Sequence, residues 1–194
     1  MKNYNFFAML SRMKYINRWG LMRNTIDENI AEHSLETAFI AHALAVINNV
    51  YFDGDISPDK AAVYAMYHDT PEIITGDLPT PVKYFAPEIK KSYDMVEEAA
   101  IEKLISSLPV EMQDIYSKLL KEDEIDKEYK IIVKAADKIS ALIKCIEEKR
   151  MGNQDFFRAE TATLKAIRDL NCKEADCFIE RFIESYNLTL DEQA

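Results

Sequence analysis

The sequence predicts an all-α fold, a single helical bundle of 194 residues, and three observations carry that reading. Apolar residues recur at the 3.6-residue period through almost the whole chain, and few runs alternate at period two. Hydrophobic residues make up 48% of the chain with only 4 glycines, which is enough apolar material for a sizeable core. No internal repeat, low-complexity tract or long linker divides the chain, so residues 1–194 are expected to form one domain.

Taken in order, "FFAMLSRMKYI" places Phe6, Met9, Leu10 and Met13 on one stripe and reads as a short amphipathic helix. A loop around "NRWGLMRNTIDEN" leads into "IAEHSLETAFIAHALAVINNV", a strongly apolar helix that stops at "DGD". Ser57 offers an N-cap and Pro58 an N1 residue for "PDKAAVYAMYHDT", which should deliver His68 and Asp69 near its C-terminal end. The helical period returns in "PEIKKSYDMVEEAAIEKLISSL", "PVEMQDIYSKLLKEDE", "KEYKIIVKAADKISALIKCIEEKRMG" and from Gln154 onward.

Composition narrows the function classes. Against 34 acidic residues stand 24 lysines and arginines, a formal charge of -10, so a polymeric nucleic acid would be repelled by the surface as a whole, whereas one small phosphate can still enter a local basic pocket. Cys145, Cys172 and Cys177 are odd in number and lack a CxxC spacing, which argues against a disulfide framework and for a reducing compartment. The N-terminal apolar residues are too interrupted by arginine and lysine for a signal-peptide core or membrane span. A cytoplasmic protein without a membrane partner is expected.

The stretch "AMYHDTPEIITGDLPTPVKYF" sets His68 beside Asp69, Glu72 a turn later and Asp77 in a loop that Gly76 frees and Pro79 stiffens. Glu72 shares a helical face with both His68 and Asp69. Of the other two histidines, His33 and His42 are nine residues apart in one helix and so point to opposite faces. His42, within "AFIAHALAVI", reads as a core or packing histidine, and His33, near the helix start, as the one able to face a site. Asp137 stands among alanines and aliphatics in "IIVKAADKISALIKC", where a carboxylate needs a partner: a metal, or Lys134 or Lys138. His33, His68, Asp69 and Asp137 together offer two imidazoles and two carboxylates, a set suited to a divalent first-row ion and unlike a closed thiolate site. An ion in such a shell activates water and neutralises charge on a phosphoryl oxygen, so hydrolysis of a phosphate ester follows.

The order His, then His-Asp, then Asp on successive helices resembles the HD-domain metal-dependent phosphohydrolases. More closely, "LSRMKYINRWGLMRN", "ENIAEHSLETA", "YHDTPEIITGDLPTPVKYF" and "KAADKISALIKCIEE" resemble the bacterial HD-domain 5'-deoxynucleotidases, from Phe6 through at least Glu148 and loosely to "LTLDE". The resemblance implies a phosphomonoesterase acting on deoxyribonucleoside 5'-monophosphates, a homodimer, and one divalent ion, cobalt or manganese, held by His33, His68, Asp69 and Asp137. It implies that Arg18 holds the phosphate, that Trp19 packs on the sugar, and that Asp77, Leu78, Pro79 and Thr80 line the nucleotide pocket. Glu72 and Asp77 would be the acid and base carboxylates.

The residues themselves support part of this. Arg18 can grip phosphate in a bidentate fork that lysine cannot reproduce. An arginine in a loop is nonetheless often only solvated, and Trp19, the only tryptophan, would serve equally as a core anchor. No GxxxxGK[ST] loop is present, which argues against a kinase or motor. The alternatives are an HD-type hydrolase of nucleoside triphosphates or cyclic nucleotides, for which Arg18, Arg23 and Lys83 are few cations, and a non-catalytic nucleotide-binding HD module.

Overall fold

The computed structural model of the protein describes residues 3–193. Its helices are α1 (Phe6–Leu10), α2 (Ile30–Tyr51), α3 (Pro58–Tyr67), α4 (Glu72–Thr75), α5 (Thr80–Lys83), α6 (Pro87–Ser106), α7 (Val110–Leu120), α8 (Lys127–Arg150), α9 (Phe157–Asp169) and α10 (Lys173–Phe182). Short 3-10 turns follow α1 and α10 and precede α8 and α9. Among the described residues the only β-type pairing is an isolated bridge between Asn17 and Asn29.

The core is built around α2. Its Ala38, Ala41, Leu44 and Ala45 are buried with Ala61 and Ala65 of α3, Ala135, Ala136, Ile139 and Ile143 of α8, and Ala175 and Phe178 of α10. Alanines on all four of these helices let the backbones approach closely while the aliphatic residues fill the remaining space. A second cluster, Phe6, Leu104, Ile105, Leu108 and Leu120, joins α1 to α6 and α7. A third, Met13, Ile30 and Ile73, packs the first turn segment against the start of α2 and the start of α4.

Local chemistry starts and stops these helices where the site needs them. Asn29 closes a capping box, its side chain accepting from the backbone N–H of Ala31 and Glu32 while Glu32 accepts from Asn29 N–H, so α2 begins sharply and His33 falls in its first turn. The Ser57 hydroxyl accepts from Lys60 N–H at 3.3 Å, as its position before Pro58 predicts. The α3 helix ends on His68, and Asp69 lies in the turn that follows.

In one place the expected packing is corrected. His42 is not a core histidine: it is exposed, with Nε2 4.0 Å from Asp59. It belongs to an outward face of α2 formed by Leu35, Phe39, Val46 and Val50, all exposed. Because α2 carries apolar residues on nearly every side, composition hides which face meets solvent. By length and hydropathy alone α2 would suffice to cross a membrane, but just over half of its most apolar window is buried inside the fold.

Candidate functional site

Four elements deliver the site. The first turn of α2 brings His33, the end of α3 and its following turn bring His68 and Asp69, α8 brings Asp137, and the loop before α2 brings Arg18 and Trp19. That loop is tied to α2 by paired backbone bonds, Arg18 N–H to Glu28 O at 2.8 Å and Ile30 N–H to Ile16 O at 3.0 Å.

One donor atom from each of His33, His68 and Asp69 falls within 4.8 Å of the others. Asp137 joins through His33, its Oδ1 3.2 Å from His33 Nε2, which also lies 3.5 Å from Asp69 Oδ2. His68 donates through Nδ1 to the Ala65 carbonyl at 2.7 Å, which leaves Nε2 as the lone-pair nitrogen. That Nε2 is buried, has no hydrogen-bond donor, and lies 3.2 Å from Asp69 Oδ1. A buried imidazole nitrogen without a donor, pointing at carboxylates, is destabilising unless a cation sits between them, so the donor set fits a divalent ion. Asp137 pairs with His33 and Arg18, not with Lys134 or Lys138, among the described ion pairs.

Charge is concentrated here. Arg18 is 13% exposed, with Nη1 3.1 Å from Asp69 Oδ2, Nη2 3.9 Å from Asp137 Oδ1 and Nε 3.6 Å from Glu28 Oε1. Burial and the Arg18 charge act to deprotonate His33, but hydrogen bonds to Asp137 and Glu28 and the Asp69 charge outweigh them and push its pKa up to about 9. Burial likewise opposes the charge on Asp137, yet His33, His68 and Arg18 hold it far below the ordinary carboxylate range. Glu72 is the opposite case: burial, reinforced by Asp69 and Asp77, pushes its carboxyl up to about 9, and its Oε2 has no hydrogen-bond partner. Burial also raises Asp77, against the pull of Arg18 and of a hydrogen bond from the Trp19 backbone.

A pocket of about 590 Å3 opens beside this cluster. Arg18, Trp19, Asp77, Pro79, Thr80 and Asp137 line it, together with Leu21, Met22, Tyr84, Lys138 and the alanine-rich face of α9. Leu78, half-buried in the same loop, is not among its lining residues. The loop turns at Gly76, whose φ of 73° is open to glycine, and its carbonyl accepts from the Tyr93 hydroxyl at 3.2 Å. Trp19 is half-buried and carries a φ of 60°; its ring lies 5.3 Å from that of Phe156.

A family model described as 5'-deoxynucleotidase YfbR-like matches residues 5–186. The chain belongs to the YfbR-like 5'-deoxynucleotidase family. It is 47% identical over 192 residues to a 5'-deoxynucleotidase of Photobacterium profundum, covering 99% of both chains. It is 49% identical to the 5'-deoxynucleotidase YfbR of Escherichia coli, covering 99% of this chain and 96% of that protein. Among solved structures, an HD-domain phosphohydrolase from Listeria innocua superposes with a TM-score of 0.84 at 25% identity, covering 96% of this chain and 90% of its own. The all-α HD-type architecture of this YfbR-like chain agrees with that likeness.

Sequence reasoning missed two groups. Glu28 touches Arg18, Trp19 and His33, but an acidic residue just before a helix cap reads as solvated, and nothing local marked it. Lys138 lines the pocket beside Asp137, where the sequence suggested only an ion-pair partner.

Proposed function

We propose that the chain is a metal-dependent phosphomonoesterase that converts deoxyribonucleoside 5'-monophosphates to deoxyribonucleosides and phosphate. The observation that carries this reading is the position of Arg18, which touches Asp69 and Asp137 and also lines the pocket. Phosphate gripped by its guanidinium would lie against the donor cluster while the nucleoside extends along the apolar wall. His33, His68, Asp69 and Asp137 would hold one divalent ion, cobalt or manganese, which supplies water activation and neutralisation of phosphoryl charge. Arg18 would orient the phosphate through a bidentate contact. Glu72, a carboxyl whose environment keeps its proton near neutral pH, would donate to the leaving 5'-oxygen, and Asp77 would accept the proton of the attacking water. Trp19 would pack on the deoxyribose, with Asp77, Leu78, Pro79 and Thr80 forming the rest of the nucleotide site.

A monophosphate suits this pocket better than a triphosphate. Of the three cations considered from sequence, Arg23 is exposed and paired with Asp155 at 2.8 Å, and Lys83 is 3.6 Å from Glu97. That leaves Arg18 and Lys138 as cations lining the pocket. The same proposal takes residues 1–194 as one catalytic domain in a cytoplasmic homodimer, without membrane or polymeric nucleic acid partners.

The test is phosphate release from matched deoxyribo- and ribonucleoside 5'-monophosphates with cobalt, manganese and other divalent ions. Release from the deoxy series, dependent on added metal, is expected. Preference for triphosphates or cyclic nucleotides, or binding without turnover, would replace this reading.

A further inference from the structure

We infer that Glu28 is a positioning residue that locks the ligand His33, the phosphate-binding Arg18 and the sugar-facing Trp19 into one unit, so that metal affinity and deoxyribose selectivity depend on the same carboxylate. This rests on the function proposed above. One oxygen, Oε1, stands 3.2 Å from His33 Nδ1 and 3.6 Å from Arg18 Nε. The other, Oε2, accepts from the Trp19 indole N–H at 2.6 Å. The side chain is only 12% exposed, so these contacts are little diluted by water.

The consequence for His33 is a fixed tautomer. Its Nδ1 faces Glu28 and the Ser140 hydroxyl at 3.1 Å, and that hydroxyl spends its one proton on Glu36 Oε2 at 2.5 Å. Both neighbours of Nδ1 are therefore acceptors, so Nδ1 keeps its hydrogen, and Nε2, which faces Asp69 and Asp137, is the nitrogen left to ligate an ion. A carboxylate behind a ligating histidine orients the ring and raises its basicity, and losing such a partner typically weakens metal binding about 10- to 100-fold.

The consequence for Trp19 is a held conformation. A bulky residue at φ 60° is in a sparsely populated backbone region and persists only where its surroundings over-determine it. The indole bond to Glu28 and the contact with Phe156 hold the side chain, while the backbone is held by its hydrogen bond to Asp77 and by its carbonyl accepting from Met22 N–H at 2.8 Å. With the indole fixed, the pocket wall beside the phosphate is rigid enough to exclude an extra hydroxyl by shape.

Glu28→Gln is the informative substitution, because an amide has one acceptor oxygen where a carboxylate has two. Glutamine cannot accept from both His33 Nδ1–H and Trp19 Nε1–H; one of them must face its NH2 group. Calorimetric titration of the chelator-treated variant with cobalt(II) or manganese(II) alone should show affinity about 10- to 100-fold weaker than wild type. Its deoxy-to-ribo ratio in kcat/KM, measured on a pair sharing one base, should also narrow. Wild-type metal affinity with an unchanged ratio overturns the inference, as does a loss confined to melting temperature. If Glu28→Gln fails to fold, Trp19→Phe removes one donor from the same carboxylate: a narrowed ratio with several-fold weaker metal binding supports the inference, and no change in either refutes it. A wild-type chain that releases no phosphate from any deoxy monophosphate would sink the proposed function, while the metal titration would still decide the role of Glu28.

Discussion

Asp137 Oδ1 stands 3.2 Å from His33 Nε2, each carried by a helix that contributes residues to the same core. Asp137→Ala removes the charge that balances His33 and Arg18 and is expected to abolish both metal binding and turnover, with the helical circular dichroism signal retained. Stoichiometric metal in the purified variant would remove Asp137 from the ligand set. His42→Gln, on the solvent face of α2, is the matched control and should keep both metal and activity.

Metal affinity should depend on pH with a defined sign. His33 in the ion-free chain has its pKa raised to about 9, so below that value an incoming ion must displace its proton. Apparent affinity is expected to fall as pH drops from 9 toward 6, by up to about tenfold per unit for one linked proton. Calorimetry in buffers of different ionisation enthalpy should find about one proton released per ion at neutral pH. A pH-independent affinity with no release would contradict the assignment.

Glu72 is expected to act while protonated, so activity should be full below its raised pKa and decline as pH rises through it, at or below about 9 once an ion lies nearby. Glu72→Gln should retain metal, lose about 10² to 10⁴ in turnover, and lack that alkaline limb. An unchanged limb in the variant would transfer the acid role to Asp77.

If Trp19 packs on the deoxyribose as proposed, Trp19→Ala should admit ribonucleoside monophosphates and slow the deoxy substrate, because a wall excluding a 2'-hydroxyl by shape and desolvation would be gone. Paired kcat/KM values measure this. Proportional loss on both substrates with lowered thermal stability would make Trp19 a packing residue only.

Behind the Trp19 loop, the buried Glu148 accepts from Thr25 N–H at 2.9 Å, Ile26 N–H at 3.2 Å, Asn153 at 2.7 Å and Lys144 at 2.6 Å. Lys144 in turn donates to the Ile26 carbonyl. Despite burial, these bonds lower the Glu148 pKa to about 2. Its stabilising contribution is therefore full above the ordinary glutamate range and lost as pH falls toward 2. Glu148→Ala should destabilise the fold by about 3 kcal/mol or more at pH 7, since it strands a buried lysine. Denaturant melts at pH 7 and at pH 2 to 3 should show the gap from wild type closing in acid. A constant gap would place the effect elsewhere.

The helices and their ends were written locally, in the apolar period, the Ser57–Pro58 start and the Gly76 turn, because cap and turn chemistry acts within a few residues. That His33, His68–Asp69 and Asp137 are candidates for one cluster was also readable, since few residue types can ligate an ion, and the structure brings these side chains together. Tertiary packing alone decided that α2 turns His42 outward, because a helix apolar on most sides has no local signal for which stripe its neighbours will cover. The same holds for Glu28, which meets His33, Arg18 and Trp19 only because the bridge between Asn17 and Asn29 folds the loop back onto α2. For Glu148 two of the partners, the Thr25 and Ile26 N–H groups, come from the Trp19 loop, more than a hundred positions away. Contacts of this kind arise from how whole elements dock, and no local pattern around either glutamate distinguishes it from a solvated carboxylate.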